Sequence, residues 1–122
     1  MSVAYYIVLD NKDPGFDPGV NGKCVAHNVD FLDKLATKAG VEGLMHYFWG
    51  SADEYLDEPK GDEEPVFHDA GEGVRWTTVM IDAVAKAKHK DQARLLEDLR
   101  EYLDVLTKAK AIGALWYFAI DL

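Results

Sequence analysis

Two histidines and a neighbouring acid offer the most direct route to chemistry in this chain. His46, the dipeptide His68-Asp69 and the later Asp82 combine imidazole and carboxylate groups. Such groups can jointly hold a divalent cation that lowers the pKa of a bound water towards neutrality. A hydrolytic centre using His46, His68 and Asp69 is therefore one reading. The plainer reading makes Asp69 a helix cap and His68 the residue before it, because Glu72 follows Asp69 at capping-box spacing. The only thiol, Cys24, follows Lys23, which could lower its pKa, and precedes His27, which could act as a base. A buried, inert cysteine is the commoner role for a lone thiol.

The set His46, His68-Asp69 and Asp82 resembles the ligands of the HD-type metal phosphohydrolases, a resemblance that implies a metal-dependent hydrolase. It departs from that family in placement. There the His-Asp pair lies inside a helix of an all-helical domain, whereas here Pro65 and a capping Asp69 put it at a helix start. No His-Glu-x-x-His or Cys-x-x-Cys sequence occurs, so a protease-type or structural zinc site is not expected. The acids and glycine of Asp10 to Asp17 lack the spacing and closing glutamate of a calcium loop. Gly71-Glu72-Gly73 lacks the preceding strand and third glycine of a dinucleotide site. No cofactor is expected.

The elements that must position these groups are legible in outline. Val3 to Leu9 and Leu115 to Ile120 are short, aromatic and β-branched, and each gives way to aspartate, which is how strands buried on both faces read. Everything between them reads as helix or loop, so each strand must pair with the other or with a second copy to satisfy its amides. Antiparallel pairing is expected because it is the commoner kind. Residues 11–23 form a loop with two Asp-Pro-Gly turns and an Asn21-Gly22 turn, pinned by Phe16 and Val20. A helix starting near Asn28 or Asp30 and stopping at Gly40 buries Val29, Leu32, Leu35, Ala36 and Ala39. A second, short helix carries Val41, Leu44, Met45 and Phe48, and Ser51 to Glu54 starts a third. Further helices follow Asp69 and Asp91, the last with Asp104 spaced to pair with Arg100 and Lys108. The expected fold is a single α+β domain over residues 1–122, its terminal strands paired and covered by four to five helices.

Charge narrows the partners. The 22 acids against 13 Lys and Arg give a formal charge of -9, which repels phosphate backbones and anionic lipids. Nucleic acid and membranes are not expected partners, and a basic protein is. The longest apolar runs are too short to span a bilayer. One cysteine and no basic, apolar leader point to the reducing cytoplasm. The segment Asp57 to Pro65, with Asp57, Glu58, Asp62, Glu63 and Glu64, is too polar to bury. Tyr47-Phe48-Trp49 is too aromatic for one buried helical face, so its other side lines a small-molecule pocket or a dimer interface, with Trp49 the candidate hot spot, or packs as a satellite cluster under the acidic loop.

The opening Ala4-Tyr5-Tyr6-Ile7-Val8-Leu9-Asp10, the loop from Phe16 to Asn21-Gly22-Lys23 and the C-terminal strand resemble a family of small bacterial proteins to which no activity is assigned. That resemblance implies a small bacterial domain and supplies no active site. Two functions follow from the residues themselves. One is a non-catalytic interaction protein that offers an acidic surface to a basic partner, as immunity proteins do to toxic nucleases. The other is a small enzyme or ligand-binding protein with Asn21, Lys23, His46 and His68 converging where the 11–23 loop meets the helix starts. Homodimerisation is expected under both, because a two-stranded sheet leaves two open edges.

Overall fold

The computed structural model describes residues 3–49 and 66–121. The two terminal runs form β1 (Ala4–Leu9) and β3 (Leu115–Asp121), paired antiparallel from Ala4 against Asp121 to Leu9 against Trp116. Between them lie α1 (Lys23–His27), α2 (Val29–Ala39), a 3-10 turn (Leu44–Tyr47), β2 (His68–Asp69), α3 (Ala70–Lys86) and α4 (Gln92–Ala111). The expected α+β architecture is present, with four α-helices among the described residues.

A third strand corrects the two-stranded expectation. His68 pairs with Trp116 and Asp69 with Leu115, giving the strand order β1-β3-β2. Phe48 adds a parallel bridge to Phe118, and the Trp49 amide donates to the Phe118 carbonyl at 3.0 Å. The C-terminal strand is therefore central, flanked on one side by β1 and on the other by these short segments.

The strands are buried on one face, not on both. Tyr5, Ile7, Trp116 and Phe118 face the helices and are buried, whereas Tyr6 and Leu115 on the opposite face are each 38% exposed. Alternation along each strand sends neighbours to opposite faces, so aromatic residues supply both layers. On the inner side Trp116 and Phe118 meet edge to face at 4.8 Å, and Tyr102 of α4 packs on Phe118 at 5.0 Å. Such pairs stabilise by roughly 0.5–1.5 kcal/mol beyond the area they bury. Gly73 lets α3 approach the sheet: a Cβ there would stand 2.7 Å from three atoms of the Trp116 indole.

The helix ends follow their residues with instructive departures. α2 runs from its N-cap Asn28 to Gly40, whose φ of 75° closes it in the left-handed region. Leu32 and Ala36 are its buried residues, while Ala39 is exposed in the last turn. The expected helix over Val41 to Phe48 is only the 3-10 turn, in which Leu44 and Tyr47 are buried and Met45 is 48% exposed. Loop 11–23 ends inside α1, a helix hidden from sequence reasoning by its five-residue length. Phe16 and Val20 pack against the core as expected. Asp17 accepts the Gly19 amide at 2.8 Å and Asn11 the Asp13 amide at 2.9 Å, so side chains close these turns as much as the prolines do. The third helix expected at Ser51 to Glu54 lies outside the described residues.

Candidate functional site

The two histidines meet. His46 stands on the 3-10 turn and His68 on β2, with ring centroids 5.4 Å apart, and the Tyr47 ring contacts both. Tyr47 stacks on Trp116 at 5.1 Å, and its hydroxyl donates to Glu72 at 3.3 Å. Burial first, then Glu72, pushes the Tyr47 phenol up to about 12. Burial also lowers His68, with the charge of His46 adding and Glu72 opposing. The result is a neutral imidazole beside a phenol that keeps its proton. Asp69 does not join them: it caps α3, accepting the Glu72 amide at 3.0 Å. Asp82 is exposed and paired with Lys86 at 2.9 Å. Among the described residues no group of three or more His, Cys, Asp and Glu is arranged to hold a metal ion. What the arrangement does is pack an aromatic box against Trp116.

Asn21 and Lys23 lie elsewhere. They line a cleft of about 420 Å³ with Cys24, His27, Asp91, Arg94, Glu97 and Asp98. Neither His46 nor His68 lines it, and the strand order explains why. α1 packs beside β1, where the Tyr5 amide donates to the Gly22 carbonyl at 3.2 Å, whereas His68 belongs to the opposite edge strand. The four side chains thus fall into two groups of two. Burial, then Asp91 and Asp98, push the Cys24 thiol up against the opposing pulls of Arg94 and Asn28. That is the wrong direction for a nucleophile.

Asp98 is the residue in this cleft that sequence reasoning missed. It is 3% exposed, and one carboxylate oxygen accepts both the Cys24 amide at 3.0 Å and the Val25 amide at 3.2 Å. Gly22, the N-cap of α1, has no side chain to do this, so α4 supplies the cap from outside. Glu101 accepts the Asn21 amide at 2.7 Å, and the Tyr102 hydroxyl donates to the Tyr5 carbonyl at 2.8 Å. The helix α4 thereby fixes the loop that carries Asn21 and Lys23. A sequence signal existed: Asp98 falls on the apolar stripe of Leu95, Leu99 and Tyr102, where a charge needs a partner.

Trp49 turns to the outer face of the sheet. Its ring meets Tyr117 at 5.8 Å, and Phe67 meets the same tyrosine at 5.1 Å. Phe48, one residue earlier, points the other way and packs with Tyr5 at 5.7 Å. The aromatic run is thus split between two faces, which resolves why it suits no single helical one. Trp49, Phe67 and Tyr117 are half-buried, Tyr6 is more open, and Val66 is 61% exposed. The acids Asp57, Glu58, Asp62, Glu63 and Glu64 lie outside the described residues. Comparison of the chain with family models, curated proteins and solved structures returned no match.

Proposed function

We propose that the protein is a non-catalytic interaction module that binds a basic protein partner through the outer face of its sheet. The observation that carries this reading is the position of Trp49 and Phe67. Both flank the acidic segment, and both rest on Tyr117, on the face opposite the helices. The acids between them are concentrated: seven of the chain's 22 acids and one of its 13 basic residues lie from Asp53 to Glu64, so twelve residues supply -6 of the formal -9. Half-exposed aromatics joined in sequence by a dense run of acids have the composition of an interface in which rings anchor and charges steer.

The competing catalytic reading is less well supported, since among the described residues Asp69 is committed to a cap and the candidate side chains divide between two edges of the sheet. The test is capture from a lysate of the source cells by the immobilised protein and by a variant with Asp57, Glu58, Asp62, Glu63 and Glu64 replaced by their amides. A basic protein retained by the native chain, released by salt and lost with the variant is the expected result. Equal capture by both proteins, or capture unaffected by salt, overturns the reading.

A further inference from the structure

The outward edge of β1 is a surface separate from the outer sheet face. Tyr5 directs both its main-chain groups away from β3, its amide to the Gly22 carbonyl at 3.2 Å and its carbonyl to the Tyr102 hydroxyl at 2.8 Å. At the far end of the strand the Asp10 amide turns inward to the Leu115 carbonyl at 3.0 Å. Antiparallel alternation therefore aims the amides and carbonyls of Ile7 and Leu9 outward, as at Tyr5. They open onto a cleft of about 740 Å³ between β1 and residues 11–18, with Pro14, Phe16 and Pro18 in its wall.

The geometry points to this cleft as the seat of an extended basic peptide that joins β1 as an additional strand. The main chain of Ile7 and Leu9 offers the hydrogen bonds, which is how strand addition gains affinity. Side chains at alternate positions of the incoming strand face the Phe16 wall and should be apolar. Charge selects the residues between them. Asp13 and Asp17 are exposed in the lining of the cleft against one lysine, Lys12. Lys108 sits over the Phe16 ring at 5.8 Å but is already paired with Asp104 at 3.0 Å. A second copy of the chain would bring the same acids, and a charge of -9, to this edge. Lysine or arginine at alternate positions of a partner segment meets no such repulsion.

This inference concerns a different surface from the outer sheet face and stands independently of it. Its test uses a capped Lys-Val-Lys-Val-Lys-Val peptide on the full chain, followed by amide NMR spectra and hydrogen exchange. The expected result is slowed exchange at the Ile7 and Leu9 amides. The Glu-for-Lys peptide and a peptide N-methylated at alternate residues should not produce it. The variant Asp13→Lys, changed at an exposed side chain, should weaken binding at low salt by about threefold or more. No binding, equal binding of the Lys and Glu peptides, or binding without protection of Ile7 and Leu9 overturns the proposal. Protection that rises with protein concentration in the absence of peptide also overturns it, and assigns the edge to a second copy.

Discussion

Replacing Asp98 separates its two properties, the hydrogen bonds it accepts and the charge it buries. Asp98→Ala leaves the Cys24 and Val25 amides without their acceptor. Val25 is fully buried, so its amide cannot recover a water partner, and an unsatisfied buried donor costs about 1–3 kcal/mol. Cys24 lines the cleft and can be rehydrated, so its amide adds less. The expected loss is about 2–3 kcal/mol, or roughly 10 °C in Tm for a domain of this size. Asp98→Asn keeps an oxygen for both amides and removes the buried charge, and should fall within about 1 kcal/mol of the native protein.

The pH dependence carries a sign of its own. Burial raises the Asp98 carboxyl despite the opposing Val25 and Cys24 amides, and Glu101 and Glu97 add to the rise. The native state then holds its proton to a higher pH than the unfolded chain, whose value is about 3.9. Stability from this group is greatest at low pH and declines as pH rises from there through the native value. The native protein should therefore gain on the Asn variant as pH falls from 7 towards 4. Urea unfolding followed by tryptophan fluorescence measures all three proteins. An Ala variant within about 0.5 kcal/mol of native, or an Asn variant as damaged as the Ala variant, refutes the reasoning.

Two left-handed glycines at different helix ends make a contrast. Gly22 has φ 65° and a Cβ there would lie 1.8 Å from the Tyr5 carbonyl oxygen, whereas Gly40 has φ 75° and nothing within 4 Å. Gly40→Ala should cost about 1–2 kcal/mol, the left-handed penalty alone, and Gly22→Ala measurably more in the same urea titration. His68 works in the opposite sense to Asp98. Its native value is lowered by burial and by His46, so the unfolded chain takes up the proton first, and stability falls as pH drops from about 6.5 towards the native value. His68→Asn should flatten that part of the profile, and an unchanged slope between pH 7.5 and 5.5 would contradict it. Tyr47→Phe removes the bond to Glu72 and should cost about 0.5–1.5 kcal/mol by thermal unfolding.

The frame of the molecule was readable because strands must satisfy their amides. Two apolar runs with only helical stretches between them had one local solution, and Ala4 to Leu9 does pair with the C-terminal run. Gly40 closes α2 through its left-handed φ as read from the sequence, whereas Asn28 stands at the start without a side-chain cap bond and donates instead to the Cys24 carbonyl. Features fixed by distant contacts were not readable. β2 is two residues long and exists through its register with Leu115 and Trp116, with no local pattern of its own. The spacing of Val41, Leu44, Met45 and Phe48 mimics a helix, yet the bridge of Phe48 to Phe118 draws the chain into extended conformation at that point. The meeting of His46 and His68 depends on the same register, and so does the separation of both from Lys23. The position of Asp98 on an apolar stripe calls for a partner but does not say which one, because the amides of Cys24 and Val25 lie more than seventy residues away.

The role of the outer sheet face can be read by placing a photo-cross-linking residue at Tyr6, which is 38% exposed there, and in a second protein at Ala85 on the solvent side of α3. Illumination in extract of the source cells should join a basic protein to position 6 and not to position 85. Cross-links of the same proteins from both positions, or none from position 6, would contradict the assignment of that face to a partner.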